Sequence, residues 1–300
     1  MPDTVPFDPR LTDPRLTAAR PDLADARLRG RVEAERYVDG RPRRVRDASA
    51  PLRRAPRPDA PLDTEAQRGE AVTVFDEAEG WAWVQLADGY VGYLPDEALG
   101  APEPAPTHRV RAVRTFVYPG PNLKLPPLAA LGLGAEVAVG GTDGPWLRLA
   151  DGFVHAAHLA PRGEPEPDFV AVAERLIGVP YLWGGRTSLG LDCSGLVQLA
   201  LAMAGVPSPR DADLQERALG RPVENRALRR GDLVFWRGHV GLMQDAERLL
   251  HANGHHMAIE SEPLGDAEAR IHASGGGPVT SIRRLVPSMP EGLRPADDVA

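Results

Sequence analysis

Gly190-Leu191-Asp192-Cys193-Ser194-Gly195-Leu196-Val197 holds the only cysteine in a chain of 300 residues. The run from Leu196 to Ala204 is apolar and made of good helix formers, and Gly205 with Pro207 supplies a stop. Asp192 suits the N-cap, which sets Cys193 in the first turn. Free backbone N–H groups and the positive end of the helix dipole there are expected to favour thiolate over thiol. A sulfur nucleophile also needs a base. Two histidines on strand-like runs qualify, His239 in Gly238-His239-Val240-Gly241-Leu242 and His251 in Leu249-Leu250-His251-Ala252-Asn253. Side chains alternate along a strand, so a turn at Asp245-Ala246-Glu247-Arg248 brings both imidazoles to one side. His239 is the better base, because Gly238 and Gly241 leave room for a helix to approach. His251 then orients its ring. The Cys193 N–H is one oxyanion donor, and the Tyr181 hydroxyl or another nearby group could add to it.

Around this stretch, residues 168–286 read as α+β. Asp168 caps a helix with Phe169, Val172, Ala173 and Leu176 on one face, ended by Gly178. Strands are expected at Asp232–Trp236, His239–Gln244, Leu249–Ala252 and Met257–Glu260, and residues 287–300 form a Pro-rich, acidic tail. Upstream the chain repeats itself. Leu86-Ala87-Asp88-Gly89-Tyr90-Val91 recurs 63 residues later as Leu149-Ala150-Asp151-Gly152-Phe153-Val154. Gly69-Glu70-Ala71-Val72 answers Gly134-Ala135-Glu136-Val137, and the Trp81/Trp83 strand answers Trp146. Short strands punctuated by Asp-Gly and Gly-Pro turns indicate two small barrels, at 51–100 and 107–161, with the tryptophans as core. Pro-rich linkers follow each. Residues 1–50 read as an extended arm with a short helix in Leu23–Tyr37, broken at Gly30.

Composition narrows the function. The formal net charge is -7, and the arginine clusters at 41–46 and 53–57 are interrupted by prolines and acids, which argues against nucleic acid as a partner. One cysteine makes no internal disulfide. No stretch has the roughly 18 to 20 apolar residues of a membrane span, and Met1-Pro2-Asp3-Thr4-Val5-Pro6 lacks a basic and an apolar leader region, so a soluble, cytoplasmic protein is expected. Nothing in the sequence calls for a cofactor or sets the oligomeric state.

Pro180-Tyr181-Leu182-Trp183-Gly184-Gly185, Leu191-Asp192-Cys193-Ser194-Gly195, Gly231-Asp232-Leu233-Val234-Phe235-Trp236, Gly238-His239-Val240-Gly241 and Leu250-His251-Ala252 closely resemble, in order, the motifs of the NlpC/P60 cysteine peptidases. The repeats resemble bacterial SH3 domains, and the arrangement that of the dipeptidyl-peptidase VI group. The resemblance implies a papain-like NlpC/P60 domain behind two SH3-like β-barrels. It implies hydrolysis of the γ-D-glutamyl bond to a diamino acid in murein peptides, with Cys193 as nucleophile, His239 as base and His251 as third member. In the SH3-bearing relatives a free N-terminal L-alanine is required and the peptides come from recycling. Its ammonium site would correspond to Glu70, Tyr90, Asp192 and Ser194.

Other readings compete. Cys193 with His251, His255 and His256 could bind zinc, but the close ligand pairs usual for that metal are missing. Arg186 suits either a substrate carboxylate or a structural ion pair. The same fold could serve a broader wall lysin, an amidase or acyltransferase, or a non-catalytic module that binds wall peptides.

Overall fold

The computed structural model describes residues 13–224 and 226–285; the expected tail at 287–300 and the first part of the arm lie outside the described residues. A seven-stranded sheet comes first, from Arg41–Val45 (β1), Ser49–Arg53 (β2), Leu62–Gln67 (β3), Ala71–Ala78 (β4), Trp81–Leu86 (β5), Val91–Pro95 (β6) and Leu99–Gly100 (β7). Its order is β3-β2-β6-β5-β4-β1-β7, so it has two edges rather than the closed barrel expected. The expected boundary at residue 51 falls inside β2. Alternation explains how the sheet packs. Ala82, Val84 and Leu86 point into one buried cluster with Val72, Val74 and Leu94. Trp83 points to the other face and meets Phe75, ring centroids 5.5 Å apart, together with Ala18 and Leu23.

That second face is where the N-terminal residues lie. Leu23–Asp25 is a strand paired in parallel with Arg36–Val38, and only Ala26–Leu28 forms a single 3-10 turn. The helix expected in this region is therefore absent. Leu23, Ala24 and Asp25 are all buried, and the Asp25 carboxylate accepts from the Arg27 N–H to make the turn.

His108–Val110 (β8), Arg114–Val117 (β9), Ala129–Gly132 (β10), Glu136–Val137 (β11), Gly141–Asp143 (β12), Trp146–Leu149 (β13), Gly152–His155 (β14) and Leu159–Pro161 (β15) follow. They form three small sheets around Val110, Val117, Leu131 and Val154. The pairings β8–β15, β9–β10 and β12–β13–β14 repeat those of β1–β7, β2–β3 and β4–β5–β6, down to a 3-10 turn before the last strand. Arg109 ties this unit to the next by donating to the carbonyls of Ala202 and Met203.

The C-terminal unit holds helices Phe169–Glu174 (α1), Cys193–Met203 (α2), Ala212–Ala218 (α3) and Leu264–Ala273 (α4). The strands of its main sheet are Arg221–Pro222 (β16), Asp232–Trp236 (β17), His239–Met243 (β18), Arg248–Asn253 (β19), Ala258–Pro263 (β20) and Ser281–Arg284 (β21). The sheet order is β16-β21-β17-β18-β19-β20. One face carries Leu233, Phe235, Val240, Leu242, Leu250 and Ala252 against α2, which is buried along almost its whole length. The other carries Val234, Trp236, Met243 and Leu249 against Leu264 and Ala267 of α4.

Candidate active site

Asp192 caps α2 as expected, accepting the Gly195 N–H at 2.7 Å, and Cys193 is the first helical residue. Gly195 cannot be larger, because a Cβ there would collide with the Gly185 carbonyl. The thiol is buried at 7% exposure. Burial pushes its pKa up to about 12; the Asp192 charge adds to this, and the backbone amides of Val240 and Ser194 only partly offset it. Burial thus favours the thiol over the expected thiolate. Loss of hydration at a buried helix end outweighs the dipole.

The amide of Val240 stands beside the sulfur, so Cys193 and the start of β18, where His239 sits, meet. Among the described residues no hydrogen bond joins Sγ to the His239 ring. Both histidines share a face of the sheet, as alternation predicts, with His239 Nε2 2.8 Å from His251 Nδ1. That face is the one covered by α4. Gly241 does not admit a helix: a Cβ there would meet Leu249, and one at Gly238 would meet nothing. Burial lowers the His239 pKa to about 4, helped by the Arg270 charge, so the ring is a neutral base. Burial likewise lowers His251, followed by His239 and Arg270.

A cavity of about 370 Å³ opens over the sulfur, lined by Tyr181, Trp183, Asp192, Cys193 and Ser194 on one side and by Tyr90, Asp63 and Arg54 on the other. Tyr181 is kept protonated by burial and by the nearby Asp192 charge, which suits a donor. The first unit is held close: Gly184 has φ +75°, and a Cβ there would lie 2.7 Å from the Leu62 carbonyl oxygen.

Of the four residues expected to hold an ammonium, only Tyr90 offers a group to the cavity. Its hydroxyl donates to Asp211 Oδ2 at 3.2 Å. Glu70 is not among the lining residues. Its carboxylate pairs with Arg186 at 3.1 Å and accepts the Gln67 N–H, so it is a joint between the first and C-terminal units. Arg186 is accordingly a structural ion pair. Asp192 and Ser194 line the cavity, but Arg210 saturates them. This guanidinium, 1% exposed, donates to Asp192 Oδ1 at 2.9 Å and Oδ2 at 2.7 Å, to Ser194 Oγ at 3.0 Å and to Thr64 Oγ1 of β3 at 2.7 Å.

Three further acids face the cavity that the sequence did not single out: Asp63, Asp211 and Asp213. Arg15 from the N-terminal segment bonds Asp211 at 2.7 Å and Asp213 at 2.8 Å, and Arg54 pairs with Asp63. The only local signal was Asp211-Ala212-Asp213 opening a short helix, which reads as capping. Glu262 was missed as well; it lies 2.7 Å from His251 Nε2.

A cavity with charged side chains in its lining, set over a helix-capped thiol and near two linked imidazoles, defines a thiol hydrolase type of centre, and comparison with known proteins agrees. Residues 178–269 match the NlpC/P60 family and residues 52–99 the bacterial dipeptidyl-peptidase SH3 domain. The chain thus carries an NlpC/P60 family domain behind a bacterial dipeptidyl-peptidase SH3 domain. It is 25% identical over 236 residues to the gamma-D-glutamyl-L-lysine dipeptidyl-peptidase of Bacillus cereus, covering 68% of this chain and 71% of that protein. It is 29% identical over 183 residues to dipeptidyl-peptidase 6 of Lysinibacillus sphaericus, covering 60% and 66%. In fold it is similar to the crystal structure of an NlpC/P60 family protein from Bacillus cereus, with a TM-score of 0.68 and 20% identity, covering 82% of this chain and 100% of that one. Among the described residues no helix is long and apolar enough to cross a membrane.

Proposed function

We propose that the chain is a cysteine peptidase that hydrolyses the γ-D-glutamyl–diamino acid bond of murein peptides bearing a free N-terminal L-alanine. The observation that carries this is the cavity itself, where Cys193 and Tyr181 face Tyr90, Asp63 and Asp211. An L-Ala-γ-D-Glu unit presents one ammonium and one free α-carboxylate. Asp63, Asp211 and the Tyr90 hydroxyl offer acceptors to the first; Arg15 and Arg54 offer donors to the second. The names of the relatives point to the same bond.

In the reaction, the Cys193 thiol gives its proton to His239 as Sγ attacks the γ-carbonyl carbon. The oxyanion takes hydrogen bonds from the Tyr181 hydroxyl and the Cys193 N–H. As the C–N bond breaks, His239 returns the proton to the leaving amine and an acyl-thioester remains. Water, deprotonated by His239, then attacks the thioester carbonyl. The C–S bond breaks, the dipeptide leaves as its acid, and the thiol regains the proton. A cavity walled on its far side by Tyr90, Asp63 and Arg54 of the first unit suits released peptides of the kind that recycling consumes. We read residues 107–161 as a second SH3-like unit, supported by the repeated strand pairings.

Acetylating the alanine would remove the cation that Asp63, Asp211 and the Tyr90 hydroxyl are read as accepting from, and would add bulk within the cavity. The test is cleavage of L-Ala-γ-D-Glu-diamino acid peptide against its N-acetyl form. A preference of 100-fold or more for the free amine is expected. Equal rates would refute the free-amine reading and favour a broader wall lysin.

A further inference from the structure

We infer that Glu262, anchored by Arg270, is a positioning residue that fixes through His251 which nitrogen of His239 acts as the base. The inference rests on the cysteine peptidase reading. Glu262 lies on β20, and Arg270 on α4 donates to its Oε1. The same oxygen is 2.7 Å from His251 Nε2. A carboxylate beside a guanidinium only accepts, so Nε2 of His251 carries the proton. The neutral His251 ring then has a bare Nδ1, which lies 2.8 Å from His239 Nε2. That contact is a hydrogen bond only if His239 is protonated on Nε2. Its Nδ1 is left as the sole basic atom. A charge two rings away therefore places the proton on the base.

The geometry is closed on all sides. His251 is fully buried and both its nitrogens are engaged, so neither water nor ring rotation offers another tautomer at low cost. When His239 takes the thiol proton, the charge is shared along His251 toward Glu262. Besides Glu262 and Arg270, the charged and titratable groups facing this pair are Asp192 from the head of α2 and His256 from the β19–β20 turn. Glu260 on β20 is the register partner of His251.

Two measurements test this. In the unaltered protein, ring nitrogen NMR at neutral pH is expected to find both His239 and His251 protonated on Nε2. Protonation of His251 on Nδ1 would overturn the inference. In the isosteric Glu262→Gln variant, kcat is expected to fall 10- to 100-fold with KM within about twofold. The acid limb of kcat/KM should shift down by about one pH unit, because the imidazolium loses its distant counter-charge. A structural loss would lower the active fraction equally at every pH and leave the limb in place. An unmoved limb, or a kcat within threefold of the unaltered enzyme, would refute the role. Absence of hydrolysis in the unaltered enzyme would instead refute the peptidase reading, and the NMR result would still decide the proton positions.

Discussion

Arg210 ought to be the most sensitive single residue in the molecule. Its guanidinium is 1% exposed and neutralises Asp192, the cap of the nucleophile helix, through two bonds of 2.9 and 2.7 Å. It also reaches Thr64 Oγ1 at 2.7 Å, so it joins the first unit to the active site. Arg210→Met keeps the volume and removes the charge, which leaves the Asp192 carboxylate buried without a counter-ion. Breaking a buried pair from one side costs about 3–5 kcal/mol. For a chain of this size that is a fall in Tm of roughly 10 °C. Asparagine also caps helices, so adding Asp192→Asn should restore much of the loss while keeping α2 capped. Urea unfolding of the two single variants and the double variant gives the coupling, expected to exceed about 2 kcal/mol. A loss below about 1 kcal/mol for Arg210→Met, or strict additivity in the cycle, would refute the claim that Asp192 depends on this partner.

Glu70→Gln separates a structural acid from a ligand-binding one. Because Glu70 pairs with Arg186 between units, the variant should lose about 1–3 kcal/mol in urea unfolding while kcat/KM changes less than threefold. A large rise in KM with unchanged stability would return Glu70 to the substrate site. Stability should also depend on pH through His239. The fold favours its neutral form, lowering the pKa from 6.5 to about 4, so the unfolded chain takes up the proton first as pH falls. The contribution is whole above pH 6.5 and is lost between there and about pH 4, amounting to roughly 3 kcal/mol. His239→Gln should flatten the stability–pH slope in that window, as followed by thermal melts; an unchanged slope would contradict the burial argument.

The C-terminal unit was legible because its chemistry is local. Asp192 caps its own helix, and period-two alternation with the short turn at 245–248 sets the register that puts His239 and His251 on one face. Glu262 was hidden because strand β20 was expected to stop at Glu260, whereas it runs through polar residues to Pro263 as an edge strand with a half-open face. The ion pair of Glu70 was hidden for a different reason. Whether an acid faces a ligand or an arginine 116 residues away is decided by how two units dock, and no local pattern reports that. The N-terminal segment misled in the same way. Leu23 is equally at home in a helix, and it is Trp83 and Phe75 beneath it that select the strand. The thiolate expectation counted the helix dipole but not the depth at which the helix begins.

Mass spectrometry of the products from synthetic murein tri- and tetrapeptides, run with the unaltered protein and with Cys193→Ala, tests the nucleophile directly. The account predicts release of L-Ala-γ-D-Glu by the unaltered protein and a fall of at least about 1,000-fold in the variant, whose folding should be intact. Undiminished hydrolysis by Cys193→Ala would contradict it.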